Sequence, residues 1–126
     1  MKIKELMIQP VYTVGAQDDA DDAWRVMHHH KCHHLVVLKG NHVVGVISEK
    51  DLGTESEADR RRGRFVADLM TWSVVKADPD LDVVDAAVLM EEQGMHCLPI
   101  FQGDQLVGIL TATDIAGAGY GRLSTA

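Results

Sequence analysis

Two short runs pair a hydroxyl with a carboxylate three residues on: Ser48-Glu49-Lys50-Asp51 and Thr111-Ala112-Thr113-Asp114. Each follows an apolar stretch opened by glycine, Gly45-Val46-Ile47 and Gly108-Ile109-Leu110. Each run therefore falls where a strand ends and a helix starts. That junction exposes unpaired backbone N–H groups and the positive end of the helix dipole. A hydroxyl there can donate to a phosphate oxygen. A carboxylate one helical turn on faces the same side and can accept from two vicinal ribose hydroxyls. The pair matches a ribose phosphate. The same Ser/Thr-x-x-acid spacing is also that of a capping box, in which the two side chains bond the helix's own first amides. Both readings stand on spacing alone.

A second cluster is His28-His29-His30-Lys31-Cys32-His33-His34. Imidazoles and a thiol are ligands for zinc, nickel or copper. Consecutive residues on a helix are about 100° apart, so His28 to His30 fan over about 200° and do not converge on one ion. Histidines near a helix C-terminus suit its dipole instead. No dedicated metal is expected here. A third cluster, Arg60-Arg61-Arg62-Gly63-Arg64, reads first as a solvated linker, and second as a guanidinium source for a ligand phosphate. No nucleophile, base and orienting group are set at fixed spacing, so no enzyme activity is expected. Trp24 and Trp72 read as packing residues.

The elements that position these groups come in two copies. Adding 63 to each number from Leu6 to Gly53 superimposes the chain on itself without a gap, and 13 of the 48 positions are identical. Chance would give about 6% for average residue usage. Leu6-Met7 maps to Leu69-Met70, Asp19 to Asp82, Met27 to Met90, His33 to His96, Gly45 to Gly108 and Asp51 to Asp114. In each copy a short β-branched run, Val11–Val14 or Val74–Ala77, predicts a strand. Asp18/Asp19 and Asp80/Asp82 supply helix caps. Ala20, Ala23, Trp24 and Met27, like Val83, Ala86, Ala87 and Met90, follow the i, i+3, i+4, i+7 pattern of one helical face. Gly94 is a C-cap. Two strands follow around Lys39-Gly40-Asn41 and around Gln102-Gly103-Asp104, as tight hairpins. Short helices are expected near Lys50–Leu52 and Thr113–Ala118. The fold class is α+β: two tandem β-α-β-β-α motifs packed about a pseudo-twofold axis, residues 3–53 and 66–117, joined by a polar linker at 54–65, with residues 1–126 as one module.

Two tandem units of this kind, with Leu6-Met7 and Leu69-Met70, the helices ending in Met27 and Met90, His96-Cys97-Leu98-Pro99-Ile100 and the two Gly-x-x-Ser/Thr-x-x-Asp runs, resemble a pair of CBS domains, named for cystathionine β-synthase. The chain departs from that pattern at Val36, where copy two has Pro99, and at Gly15-Ala16, where copy two has Asp78-Pro79. The resemblance covers about residues 3 to 117 and implies a standalone regulatory module that senses an adenosyl ligand: AMP, ADP, ATP, NAD or S-adenosylmethionine, none of them tightly bound. It implies that the Ser/Thr-x-x-Asp of one copy is completed by the first strand of the other. One site would then use Ile109, Thr111, Asp114 and His96 with Met7, Tyr12 and Cys32. Its twin would use Val46, Ser48, Asp51 and His33 with Met70, Val75 and Met95. Tyr12 and Val75 would pack on adenine, and the two histidines would lie near a ligand phosphate. The resemblance further implies a homodimer, burying Val26, Val88, Leu52 and Ile115. Alternative readings are a dimeric adaptor with vestigial clefts, acting through an unidentified protein partner, and a His/Cys metal-responsive protein.

Composition sets the outer limits. A chain of 126 residues with 46% hydrophobic and 25% charged residues is globular and able to bury a core. Twelve Lys and Arg against nineteen Asp and Glu leave a charge of −7, which gives no general attraction to nucleic acid or anionic membrane. The longest apolar runs, such as Leu35–Leu38, fall far short of the about 20 residues a membrane span needs. No secretory signal is read at Met1–Glu5. Two cysteines make no disulfide framework and fit the reduced cytoplasm.

Overall fold

A computed structural model describes residues 1–73 and 75–119. The chain divides into two compact units: Tyr12–Val74, and Met1–Val11 with Val75–Ala126. The units are thus offset from the sequence repeats. Residues 1–11, which include the opening of copy one, fold with copy two, and residues 66–74, which open copy two, fold with copy one.

In the first unit, β1 (Thr13–Gly15), α1 (Ala20–His29), β2 (His34–Lys39), β3 (His42–Ser48) and α2 (Glu49–Leu52) carry the repeat. A 3-10 turn (Glu55–Glu57), α3 (Ala58–Arg61), α4 (Val66–Leu69) and β4 (Thr71–Trp72) follow. Asp19 caps α1 by accepting from the Asp21 amide. The sheet order is β1-β2-β3-β4, with β1 parallel to β2 and both other pairs antiparallel. Ala20, Ala23 and Met27 from α1 are buried with Leu35, Val37, Ile47, Leu52, Val66 and Met70. Leu35 and Val37 of β2, Ile47 of β3 and the 3.6-residue period of α1 therefore close on one core.

The second unit repeats the plan with α5 (Val83–Gln93), β5 (Cys97–Gln102), β6 (Gln105–Thr111) and α6 (Ala112–Gly117). Asp82 caps α5, and Gly94 ends it in the left-handed conformation at φ 64°. Ile3, from a 3-10 turn at Ile3–Glu5, enters this core beside Val83, Ala86, Met90, Leu98, Ile100, Leu110 and Ile115. Its amide donates to the Leu81 carbonyl at 2.9 Å.

The structure corrects several expectations. The first strand of copy one is Thr13–Gly15 rather than Val11–Val14. In copy two, Val74 lies outside the described residues, and 75–77 form no strand but a single bridge, Ala77 to Ile100. The cause is local. Val36 donates its amide to the Tyr12 carbonyl at 3.1 Å, whereas its mate Pro99 has no N–H to give. Leu52 and Ile115 are not on a free face: each is buried in its own unit's core. Arg61 is not solvated. Its side chain is 3% exposed, because its guanidinium satisfies groups that the polypeptide leaves open nearby.

Candidate functional site

The two hydroxyl–carboxylate runs begin α2 and α6, and both close as capping boxes. Ser48 Oγ accepts from the Asp51 amide at 3.1 Å, and Asp51 Oδ2 accepts from the Ser48 amide at 2.9 Å. Thr111 Oγ1 accepts from the Asp114 amide at 3.1 Å, and Asp114 Oδ2 accepts from the Thr111 amide at 3.3 Å. The boxes differ in one hydrogen bond. Thr111 Oγ1 also donates to Asp114 Oδ2 at 2.6 Å, while Ser48 makes no such bond. Thr111 is buried and Ser48 half-buried.

The remaining predicted residues divide between the two units, with Tyr12 and Cys32 in the unit of Ser48 and not of Thr111, and Val75 and Met95 in the unit of Thr111 and not of Ser48. Val46, Met70, Tyr12, Cys32 and His33 share the unit of Ser48 and Asp51; Ile109, Met7, Val75, Met95 and His96 share that of Thr111 and Asp114. Met7 and Met70 are held in place by glycine. A Cβ at Gly108 would meet Met7 Sδ, and one at Gly45 would meet the Thr71 carbonyl and the end of Met70. Both glycines are therefore required by the close approach of a crossing segment, which pairs Ile8 with Ile109 in one unit and Thr71 with Val46 in the other. Val46 and Ile109 are buried, as are Met70 and Met95. Tyr12 is half-buried and stacks on His30 with ring centroids 3.7 Å apart.

His33 and His96 are both exposed, but their surroundings differ. His33 Nδ1 lies 2.7 Å from Glu49 Oε2, and His28 Nε2 lies 3.9 Å from Glu49 Oε1. His28 is itself oriented by its Nδ1–H, which donates to the Trp24 carbonyl at 2.9 Å. The His96 carbonyl accepts from the Ala112 amide at 2.8 Å, and its ring has no polar partner among the described residues. No three His, Cys, Asp or Glu side chains form a metal-binding group among the described residues. Cys97 is a buried thiol, its pKa pushed far up by burial and by the Asp114 charge. Burial also raises that of Cys32.

Sequence reasoning missed two features. Arg61 Nη1 donates to the Leu52, Gly53 and Thr54 carbonyls at 2.9, 3.3 and 3.0 Å, and Nε donates to Asp21 Oδ1 at 3.2 Å. Its guanidinium also lies 4.7 Å over the Trp24 ring. The second feature is Glu49, whose contact with His33 joins residues 16 apart and carries no local signal. An open cleft of about 490 Å³ lies beside it, lined by Glu49, Lys50, Gly53, Thr54, Glu57 and Arg60.

Comparison with known proteins bears on the family and the fold. The chain is 27% identical over 115 residues to the CBS domain-containing protein YhcV of Bacillus subtilis, covering 90% of this chain and 82% of that one. It is 25% identical over 115 residues to an inosine-5'-monophosphate dehydrogenase of Korarchaeum cryptofilum, where the match covers 90% of this chain but only 23% of the enzyme. The solved structure of CBSX2 in complex with AMP superimposes with a TM-score of 0.71 at 25% identity, covering 94% of this chain and 95% of that one. The family model for the CBS domain matches residues 3–54 and again residues 66–121, so the chain belongs to the CBS domain family as a tandem pair.

Proposed function

We propose that this CBS pair is a regulatory sensor of an adenosyl ligand whose ribose is held by Asp51 or Asp114. CBS pairs as a class are regulatory ligand-binding modules, and CBSX2 is described in complex with AMP. The observation that carries the reading is the duplicated box itself. Each box ends a buried strand, and each leaves its carboxylate half-buried with Oδ1 free of any partner among the described residues. A free carboxylate oxygen beside apolar Val46 or Ile109 is suited to a sugar hydroxyl next to a flat apolar base. The motifs are taken as 3–53 and 66–117 around the segment 54–65, within one module of 1–126. The ligand acts by population shift, favouring the conformation that binds it better.

The regulated state is proposed to be a homodimer in a reducing cytoplasm. Val84 and Val88, one turn apart on α5, are exposed apolar residues that a second copy would cover. Both cysteines are free. An adaptor role without ligand is the second reading. It is favoured by the Thr111–Asp114 bond, which already satisfies the hydroxyl of that box.

A thermal-shift panel of AMP, ADP, ATP, NAD and S-adenosylmethionine, with and without zinc, tests the reading. A ligand at 100 times its dissociation constant adds about 2.7 kcal/mol to stability. Asp51→Asn with Asp114→Asn should remove the shift while keeping the caps, since an amide oxygen still accepts from the Ser48 or Thr111 amide. A panel without any shift leaves the adaptor.

A further inference from the structure

We propose that Arg61 is a positioning residue for the Ser48/Asp51 site: through the end of α2 it holds the Asp51 carboxylate where a ribose meets it, so this site answers to the linker and the Thr111/Asp114 site does not. The inference rests on the adenosyl reading above and adds what controls one of its two sites. A binding group keeps its geometry only where its neighbours lock it.

The two carboxylates stand on unlike helices. Asp114 lies on α6, six residues long, whose last carbonyls are met by the backbone that follows. The Ala118 amide donates to the Asp114 and Ile115 carbonyls at 3.1 and 3.2 Å, and the Gly119 amide to the Ala116 carbonyl at 3.0 Å. Asp51 lies on α2, a single turn of four residues. A helix that short does not hold itself in water, and its last carbonyls need donors from outside. The Gly53 amide reaches the Glu49 carbonyl at 3.0 Å, but the chain then leaves the helix at φ 84°. The linker supplies the missing donors. Arg60 Nη1 donates to the Lys50 carbonyl at 2.9 Å, and Arg61 Nη1 serves the carbonyls of Leu52, Gly53 and Thr54. These four carbonyls flank Asp51 on both sides.

Arg61 is fixed in turn by α1. Its Nε donates to Asp21 and its guanidinium lies over the Trp24 ring. Copy two has no place for such a clamp, because the repeat mates of Asp21 and Trp24 are Val84 and Ala87. From α1 through Arg61 and the end of α2 to Asp51, the contacts form one chain inside the unit Tyr12–Val74.

Isothermal titration of the full chain with AMP and with S-adenosylmethionine tests this. In an Asp114→Asn background, which leaves the copy-one site, Arg61→Lys should weaken binding about tenfold: lysine keeps the charge but has no planar fork to span three carbonyls and Asp21. In an Asp51→Asn background, which leaves the copy-two site, the same substitution should change affinity by less than about twofold. Arg60→Ala, at an exposed position, should weaken the copy-one site alone by about threefold, and it decides the matter if Arg61→Lys does not fold. Val14→Ala truncates the same core on β1 and should lower the melting temperature while leaving copy-one affinity within about twofold, which separates positioning from loss of stability. Equal weakening of both sites by Arg61→Lys, an equal loss from Val14→Ala, or unchanged copy-one affinity in the arginine variants overturns the inference and leaves the adenosyl reading standing. Failure of both compounds to bind the parent chain overturns both.

Discussion

The two units share a repeat yet hold their first strands differently. In the unit of copy one, β1 runs parallel to β2 and a four-stranded sheet results. In the unit of copy two only the hairpin β5–β6 is a full ladder, and the equivalents of β1 and β4 are reduced to single bridges. Proline at 99 accounts for the first loss, since the amide that Val36 gives to Tyr12 does not exist there. The helix caps differ in the same spirit. Gly94 adopts the left-handed conformation without steric cost, but its mate Lys31 is forced to φ 55°. Both copies keep the hairpin glycine, the aspartate N-cap and the glycine beneath each crossing segment, while Lys31 and Gly94 differ although both adopt the left-handed conformation.

The largest test of that comparison is Arg61, which has no repeat mate within the chain. Arg61→Ala should destabilise by about 3 kcal/mol, because it leaves three carbonyls and Asp21 without their donor. Urea denaturation that finds less than 1 kcal/mol would show that water replaces the guanidinium. Next come the paired glycines. Gly45→Ala drives a methyl into the Thr71 carbonyl, a backbone atom, whereas Gly108→Ala meets the flexible end of Met7. The first should cost about 3 kcal/mol and the second about 1 kcal/mol. Equal losses in thermal melts would mean that the two crossings are equally rigid.

A smaller effect of opposite sign is expected at the helix cap. Lys31→Gly should stabilise by about 1 kcal/mol, making the end of α1 resemble that of α5, and a lower melting temperature would refute it. The smallest effect is chemical. Cys97, buried and held as a neutral thiol, should resist a thiol reagent until the chain unfolds. Half-buried Cys32, its pKa raised less strongly, should react in the folded state, faster as pH rises toward its titration. Equal rates for the two would show that the core of the second unit opens readily.

Much of this was legible in the sequence because it depends on local periodicity. The apolar faces of α1 and α5, the aspartate caps, the hairpins at Gly40 and Gly103 and the two boxes follow from spacing of three, four or two residues. The association of Met7 with copy two entered only as an implication of the resemblance. What spacing did not show was set by contacts between residues far apart. The burial of Arg61 depends on Asp21, 40 positions away, and Glu49 reaches His33 across the hairpin. The difference between Val36 and Pro99 was visible, but its effect on residues 75–77 required knowing which side of β5 the missing amide faced.

Trp24 lies between His28, with ring centroids 3.9 Å apart, and the guanidinium of Arg61, while the exposed Trp72 donates its indole N–H to the Ala67 carbonyl. These are the two tryptophans of the chain, and both belong to the unit Tyr12–Val74. Indole emission is therefore a one-sided optical probe. It reports on the neighbourhood of His28 and Arg61. Events at Thr111 and Asp114 occur in a half of the molecule with no indole of its own, so a titration followed by fluorescence reads one repeat directly and the other only through what it transmits.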